Sequence, residues 1–174
     1  MLVRELVVES DYGQIYVCDS GGPDPTMPQT EDDNSLLRSL DDAHESRRFL
    51  GYDGGLLNVL TPSQYNGNAP ARVELFDDPP PLDADDWDHV AEAPLPVPSG
   101  TLVFQASGGG ALHETSIPPG LYRARVSGRQ FVAGIGEIEG RERWRIQLWP
   151  AGESEPTLVK YWDGWELMAP REDV

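Results

Sequence analysis

The sequence predicts an all-β domain, an antiparallel β-sandwich of jelly-roll type with about nine strands and one inserted helix near residues 34–48. Three observations carry this. Segments in which apolar and polar residues alternate recur along the chain, the period-2 signature of half-buried strands. Turn residues separate them about every ten positions, supplied by 16 Pro and 18 Gly. A single stretch switches to the helical period. At 174 residues the chain suits one domain, 1–174, and no linker divides it.

Residues 2–9 and 14–19 read as the first strands. In the second, Ile15 and Val17 alternate with Tyr16 and Cys18. Ser10-Asp11-Tyr12-Gly13 between them fits a tight turn, so the pair is expected to open the fold as a hairpin. Residues 20–33 form a Pro- and acid-rich loop, too polar to bury much surface. Leu36, Leu37, Leu40, Ala43, His44 and Arg47 then fall at helical spacing. Asp32, Asp33 and Asn34 supply the cap and N-terminal acids, Arg47 and Arg48 the C-terminal cations, and Gly51 the stop. Further strands are expected at 56–60, 71–76, 88–95, 101–106, 120–127, 142–149 and 157–162. Pro62, Asn66-Gly67-Asn68, residues 77–81, Pro98-Ser99-Gly100, Gly108-Gly109-Gly110 and Pro118-Pro119-Gly120 mark the turns between them.

The acid is unevenly placed. Residues 1–100 hold 20 Asp and Glu against 5 Arg, a charge of −15, and residues 101–174 hold 10 against 8 basic residues, a charge of −2, together the −17 of the chain. A field of one sign repels nucleic acid and attracts basic protein surfaces. The densest part is the run from 77 to 88, where Asp77, Asp78, Asp83, Asp85, Asp86 and Asp88 surround Trp87. These seven residues are the expected partner-binding site. The alternative for the run is a solvated loop with Trp87 as its packing anchor.

Other chemistries fail on spacing. Asp83 and Asp85 match the first and third ligands of a calcium loop, but Trp87 takes the fifth place and no Gly or closing Glu follows. His44, His89 and His113 with the lone Cys18 give no zinc spacing. Ser107-Gly108-Gly109-Gly110 lacks the Gly-Lys-Thr of a phosphate loop, and Gly134-Ile135-Gly136 with Gly140 misses the dinucleotide fingerprint by one place. There is no Gly-x-Ser-x-Gly elbow. No cofactor, metal or catalytic residue is therefore expected. His89 beside an acid such as Asp86 is the one hydrolase candidate.

Trp87, Trp144, Trp149, Trp162 and Trp165 read as core or end plugs ahead of a sugar platform. Arg123 and Arg125 share one face of their strand, as do Arg141, Arg143 and Arg145 of theirs. Such rows on an acidic protein pair with cross-strand acids, with a small anion site as the alternative. The N-terminus has no signal-peptide pattern, and no stretch approaches the roughly 18 apolar residues of a membrane span. A soluble, cytoplasmic protein without nucleic-acid or membrane partners is expected; the oligomeric state is left open.

Two segments together carry a resemblance. One runs Asp85-Asp86-Trp87-Asp88-His89-Val90-Ala91-Glu92-Ala93 and continues through Val97-Pro98-Ser99-Gly100-Thr101-Leu102. The other is Ile117-Pro118-Pro119-Gly120-Leu121-Tyr122-Arg123-Ala124-Arg125-Val126. Over about residues 80–150 the chain resembles a family of small bacterial β-sandwich proteins and is similar to the competence protein ComJ, an acidic inhibitor of a secreted nuclease. The resemblance implies the sandwich and supplies no catalytic residues. The loop and helix at 20–50 lie outside it. The leading expectation is a non-enzymatic protein that engages a basic partner, as an inhibitor or immunity factor of a nuclease or toxin. The alternative is a hydrolase or carbohydrate-binding sandwich with a Trp, His and carboxylate groove.

Overall fold

The computed structural model describes residues 2–22, 34–62, 67–107, 112–132 and 141–167. The elements are β1 (Leu2–Asp19), α1 (Ser35–Glu45), β2 (Leu50–Asp53), β3 (Leu56–Leu60), β4 (Gly67–Leu75), β5 (His89–Val97), β6 (Thr101–Ser107), β7 (His113–Ser116), β8 (Gly120–Arg129), β9 (Arg143–Pro150) and β10 (Thr157–Lys160). Short 3-10 turns lie at Ala84–Asp86 and Asp163–Leu167. The fold is the expected all-β sandwich with an inserted helix.

The predicted opening hairpin is a single long strand. The first half of β1 pairs with β4, and its second half pairs with β3 and β6. Tyr12 and Gly13 have positive φ, 54° and 70°, so Ser10 to Gly13 do carry turn chemistry. They make a corner with a register shift between Asp11 and Ile15, and the chain crosses into the second sheet instead of folding back. The first sheet therefore runs β10-β5-β8-β9-β4-β1 and the second β7-β6-β1-β3-β2, with β1 common to both. All pairings are antiparallel except β4 with β9, which are parallel. That one pair departs from the purely antiparallel sandwich expected.

Two expectations are too sparing. β2 pairs with β3 through Gly54 and Gly55, whose φ values of 55° and 103° suit a two-residue hairpin turn. β7, an edge strand on β6 absent from the strands expected, begins at His113. Both glycine-rich stretches considered for nucleotides, 108–110 and 134–140, lie outside the described residues, as does nearly all of the 20–33 loop.

The facing sides of the sheets bury Val8, Val17, Leu57, Leu95, Phe104 and Leu148 completely. Each such side chain stabilises the fold by about 1.5–3 kcal/mol. On the far side of the second sheet, Tyr16, Cys18, Leu56 and Val103 form a smaller cluster under Leu36 of α1. Cys18 is thus a buried strand residue.

Helix α1 begins as expected: Asn34 Oδ1 accepts from the Leu37 N–H at 3.0 Å. Its buried stripe is Ser35, Ser39 and Ala43, while Leu37 stays half exposed. Small residues let the helix lie close on β2. Gly51 is the complement, not the stop. A Cβ there would stand 1.6 Å from the Ser39 carbonyl oxygen. The helix ends at Ser46, and Arg47 takes the left-handed conformation at φ 58°.

Candidate functional site

The outer face of the first sheet is polar. The alternation that puts Ala91, Ala93, Ala124, Val126, Ile146 and Leu148 in the core sends Glu92, Arg123, Arg125 and Gln147 the other way. Register aligns Thr157, Glu92, Arg125, Gln147 and Glu74 in one row across five strands. Arg125 Nε donates to Glu92 Oε1 at 2.7 Å, and Arg123 Nε donates to Glu92 Oε2 at 3.1 Å. Arg125 Nη1 also donates to Gln147 Oε1 at 3.3 Å, and Gln147 Nε2 donates to Glu74 Oε2 at 3.0 Å. Arg123 and Arg125 are buried. The pairing with cross-strand acids is as expected; Glu92, which joins the two arginines, was not singled out.

These arginines are buried because two acidic loops lie over them. Arg125 Nη1 donates to the carbonyls of Pro80 and Pro81 at 3.3 and 3.2 Å. Arg145 grips both oxygens of Asp83 at 2.7 and 2.5 Å, a two-pronged geometry suited to a guanidinium. Arg145 thereby holds the Asp83 carboxyl below the usual carboxylate range. Lys160 Nζ donates to Ala84 O at 3.1 Å. Arg123 holds the second loop: its Nη1 donates to Ser154 Oγ and Glu155 O, both at 2.8 Å, and its Nη2 to Thr157 Oγ1 at 2.7 Å.

The seven residues expected to bind a partner therefore divide. Trp87 is 8 % exposed, with the Arg145 and Arg129 guanidinium groups over its ring at 4.4 and 4.9 Å. It packs the loop down. Asp83 is paired with Arg145, and Asp88 Oδ2 accepts from the Phe131 N–H at 3.1 Å. Asp77, Asp78, Asp85 and Asp86 are exposed. Their side chains make no hydrogen bond or ion pair among the described residues. The loop thus presents four uncompensated carboxylates on a backbone fixed from below.

His89 is remote from such chemistry. It is 4 % exposed. Its Nε2 lies 2.5 Å from Arg48 O, and its Nδ1 accepts from the Trp162 N–H at 3.3 Å. Both ring nitrogens are thus taken by backbone groups, and among the described residues no carboxylate bonds the ring. Burial pushes its pKa down to about 4. The ring sits among Phe49, Tyr161 and Trp165 at centroid distances of 6.0, 6.0 and 6.1 Å. Trp165 stacks on Phe49 at 3.9 Å, closing one end of the sandwich. Trp144 and Trp149 are buried as well, so these rings serve packing. Among the described residues no three His, Cys, Asp or Glu side chains gather as metal ligands, and no helix is long and apolar enough to cross a membrane.

No protein-family model matches the chain, and no curated protein matches its sequence. Solved structures do match its shape. The crystal structure of ComJ from Bacillus subtilis, described as an inhibitor of the DNA-degrading activity of NucA, superposes with a TM-score of 0.59 at 14 % identity. The alignment covers 87 % of this chain and all of that one. The fold is similar to that of ComJ. A second structure, described as crocagin biosynthetic gene J, gives a TM-score of 0.60 at 18 % identity over 87 % of this chain and 98 % of that one. The likeness reaches well beyond the segments around residues 80–150 that suggested it. At these identities it concerns the fold alone.

Proposed function

We propose that this protein is a non-enzymatic binding module whose acidic face engages a basic protein, as an inhibitor or immunity factor of a nuclease or toxin. One observation carries the reading: Asp77, Asp78, Asp85 and Asp86 stand exposed and unpaired on a loop held through its backbone carbonyls by Arg125 and Lys160 and through the Asp83 carboxylate by Arg145. A flexible acidic loop would serve solubility equally well. Fixing it incurs the burial of Arg125 and delivers carboxylates in a set geometry, which reduces the ordering cost of binding. Carboxylates so arranged mimic the phosphates that a nuclease channel accepts. The ComJ-like fold supports the same reading by analogy.

The test is capture of partners from the native cell by the intact protein, at low and high salt. Steered association weakens as salt screens the charges. Changing Asp77, Asp78, Asp85 and Asp86 together to Asn should abolish capture of a basic protein. Capture unchanged by both salt and the four substitutions would defeat the reading.

A further inference from the structure

The second half of β5 has an open edge. β10 pairs with Val90, Ala91 and Glu92, and among the described residues no strand pairs with β5 beyond them on that side. Pro94 and Pro96 lie in this stretch. Proline has no N–H, so it fits a paired strand where its nitrogen faces away from the partner, here away from β8. The edge therefore lacks donors at two successive outward positions and does not template another strand. It keeps its carbonyl groups, which only accept.

Beside this edge lies an open groove of about 770 Å³. Pro94, Pro96, Pro98, Pro156 and Leu121 make its surface apolar, and Tyr52 of β2 forms one wall. The loop that carries Glu153 and Glu155 forms the other. Both glutamates are exposed, and Arg123 holds their loop from beneath through Ser154 Oγ and Glu155 O. Burial raises the Tyr52 hydroxyl above its ordinary pKa, and the charges of Asp53, Glu153 and Glu155 add to the rise. Arg38 pairs with Asp53 at 2.9 Å. Glu153 and Glu155 have no such partner among the described residues.

We propose that this groove docks an extended cationic segment of the partner protein. An Arg or Lys side chain would lay its aliphatic stem along the prolines and place its head between Glu153, Glu155 and the Tyr52 ring. An anionic or purely apolar segment would leave two carboxylates desolvated without a counter-charge. A second copy of this chain is disfavoured by its charge of −17. The proposal rests on the reading that the partner is basic, and it adds a contact surface separate from the 77–86 loop.

The probe is a short synthetic peptide of alternating Arg and Ala, with alternating Glu and Ala as control, titrated into the full chain while backbone amide shifts are followed. The Arg peptide should move the amides of Tyr52, of 95, 97 and 99, and of 153–155, and the Glu peptide should not. Changing Glu153 and Glu155 together to Lys should weaken binding about tenfold or more; the milder pair Glu153→Gln and Glu155→Gln should give a smaller loss in the same direction. Changing Asp85 and Asp86 to Asn should leave the groove shifts in place. Shifts confined to the 77–86 loop, affinity indifferent to the glutamates, or no groove shift at all would each overturn the proposal. None of these would touch the basic-partner reading, which the capture assay judges separately.

Discussion

Glu92 and Arg125 face each other across the β5–β8 pair, Nε to Oε1 at 2.7 Å, and Arg125 also reaches over the sheet to hold the Pro80 and Pro81 carbonyls. Arg123 uses the other oxygen of the same carboxylate and holds the loop at Ser154 and Glu155. One glutamate, its side chain 15 % exposed, therefore ties down the arginines that position both acidic loops. Two buried cations sharing one carboxylate make that carboxylate indispensable once they are present. Glu92→Ala should cost about 3–5 kcal/mol, since it leaves both guanidinium groups without their counter-charge. Changing Arg123, Glu92 and Arg125 together to Met, Leu and Met should restore most of that stability, because a well-packed apolar set removes the desolvation cost. It should still free both loops, seen as faster amide exchange over 82–86 and 153–155. Urea unfolding of the two variants tests the first half. Unchanged loop exchange in the triple variant would refute the second.

Gly51 sets the distance between α1 and β2. The Cβ of an alanine would overlap the Ser39 carbonyl oxygen, a backbone atom that moves only with the helix. Gly51→Ala should therefore lower stability by at least about 2 kcal/mol, through overpacking. Gly54→Ala is the control. It meets nothing within 4 Å, but its φ is +55°, so the cost should be about 1 kcal/mol, from the left-handed backbone alone. Equal losses in thermal melts of the two variants would show that the helix gives way freely at Gly51.

The rhythm of strands and turns was legible because β8 and β9 set Arg123, Arg125, Arg145 and Gln147 alternately against Ala124, Val126, Ile146 and Leu148, and because Pro and Gly mark the turns before β6 and β8. Three features were not. Ser10 to Gly13 has the residues of a turn, and only tertiary pairing decides that it bends β1 between sheets. Gly51 looked like a helix stop because it follows two arginines, whereas its role depends on Ser39, twelve positions earlier. Gly54-Gly55 after Asp53 was a readable hairpin signal that the helix reading of the preceding residues overshadowed. At the candidate site the acidic run was plain, but its division was not. Which aspartates are anchored depends on Arg145 on β9 and Phe131 beyond β8, more than forty residues away, and sequence spacing carries no trace of that.

That division can be checked directly. Changing Asp77, Asp78, Asp85 and Asp86 to Asn removes four exposed charges that have no partner, from a protein already strongly acidic. Stability should stay within roughly 0.5 kcal/mol per site or rise slightly as repulsion is relieved. Asp83→Asn breaks the two-pronged pair with Arg145 and uncovers Trp87, and should lower stability by about 1 kcal/mol, allowing for its partial exposure. Denaturant midpoints of the two proteins decide it. A larger loss in the fourfold variant than in Asp83→Asn would mean that the exposed aspartates are structural.

His89 should make the fold sensitive to acid over a defined range. Its folded pKa lies near 4 against an ordinary 6.5, with burial as the cause. Above pH 6.5 the ring is neutral in both states and its contribution is complete. As pH falls below that, the unfolded chain takes up a proton that the folded ring refuses, so stability declines until the folded ring also titrates near 4. The loss across that window is on the order of 3 kcal/mol. Protonating the many exposed carboxylates acts the other way, by relieving repulsion, so the raw pH profile mixes the two effects. His89→Gln separates them. Glutamine can donate to Arg48 O without titrating, so the variant starts less well packed but keeps every carboxylate. Stability measured by urea unfolding should fall more steeply between pH 6.5 and 4 in the parent than in the variant. Parallel profiles would show that His89 is protonated in the fold at mildly acidic pH and that its burial does not hold it neutral.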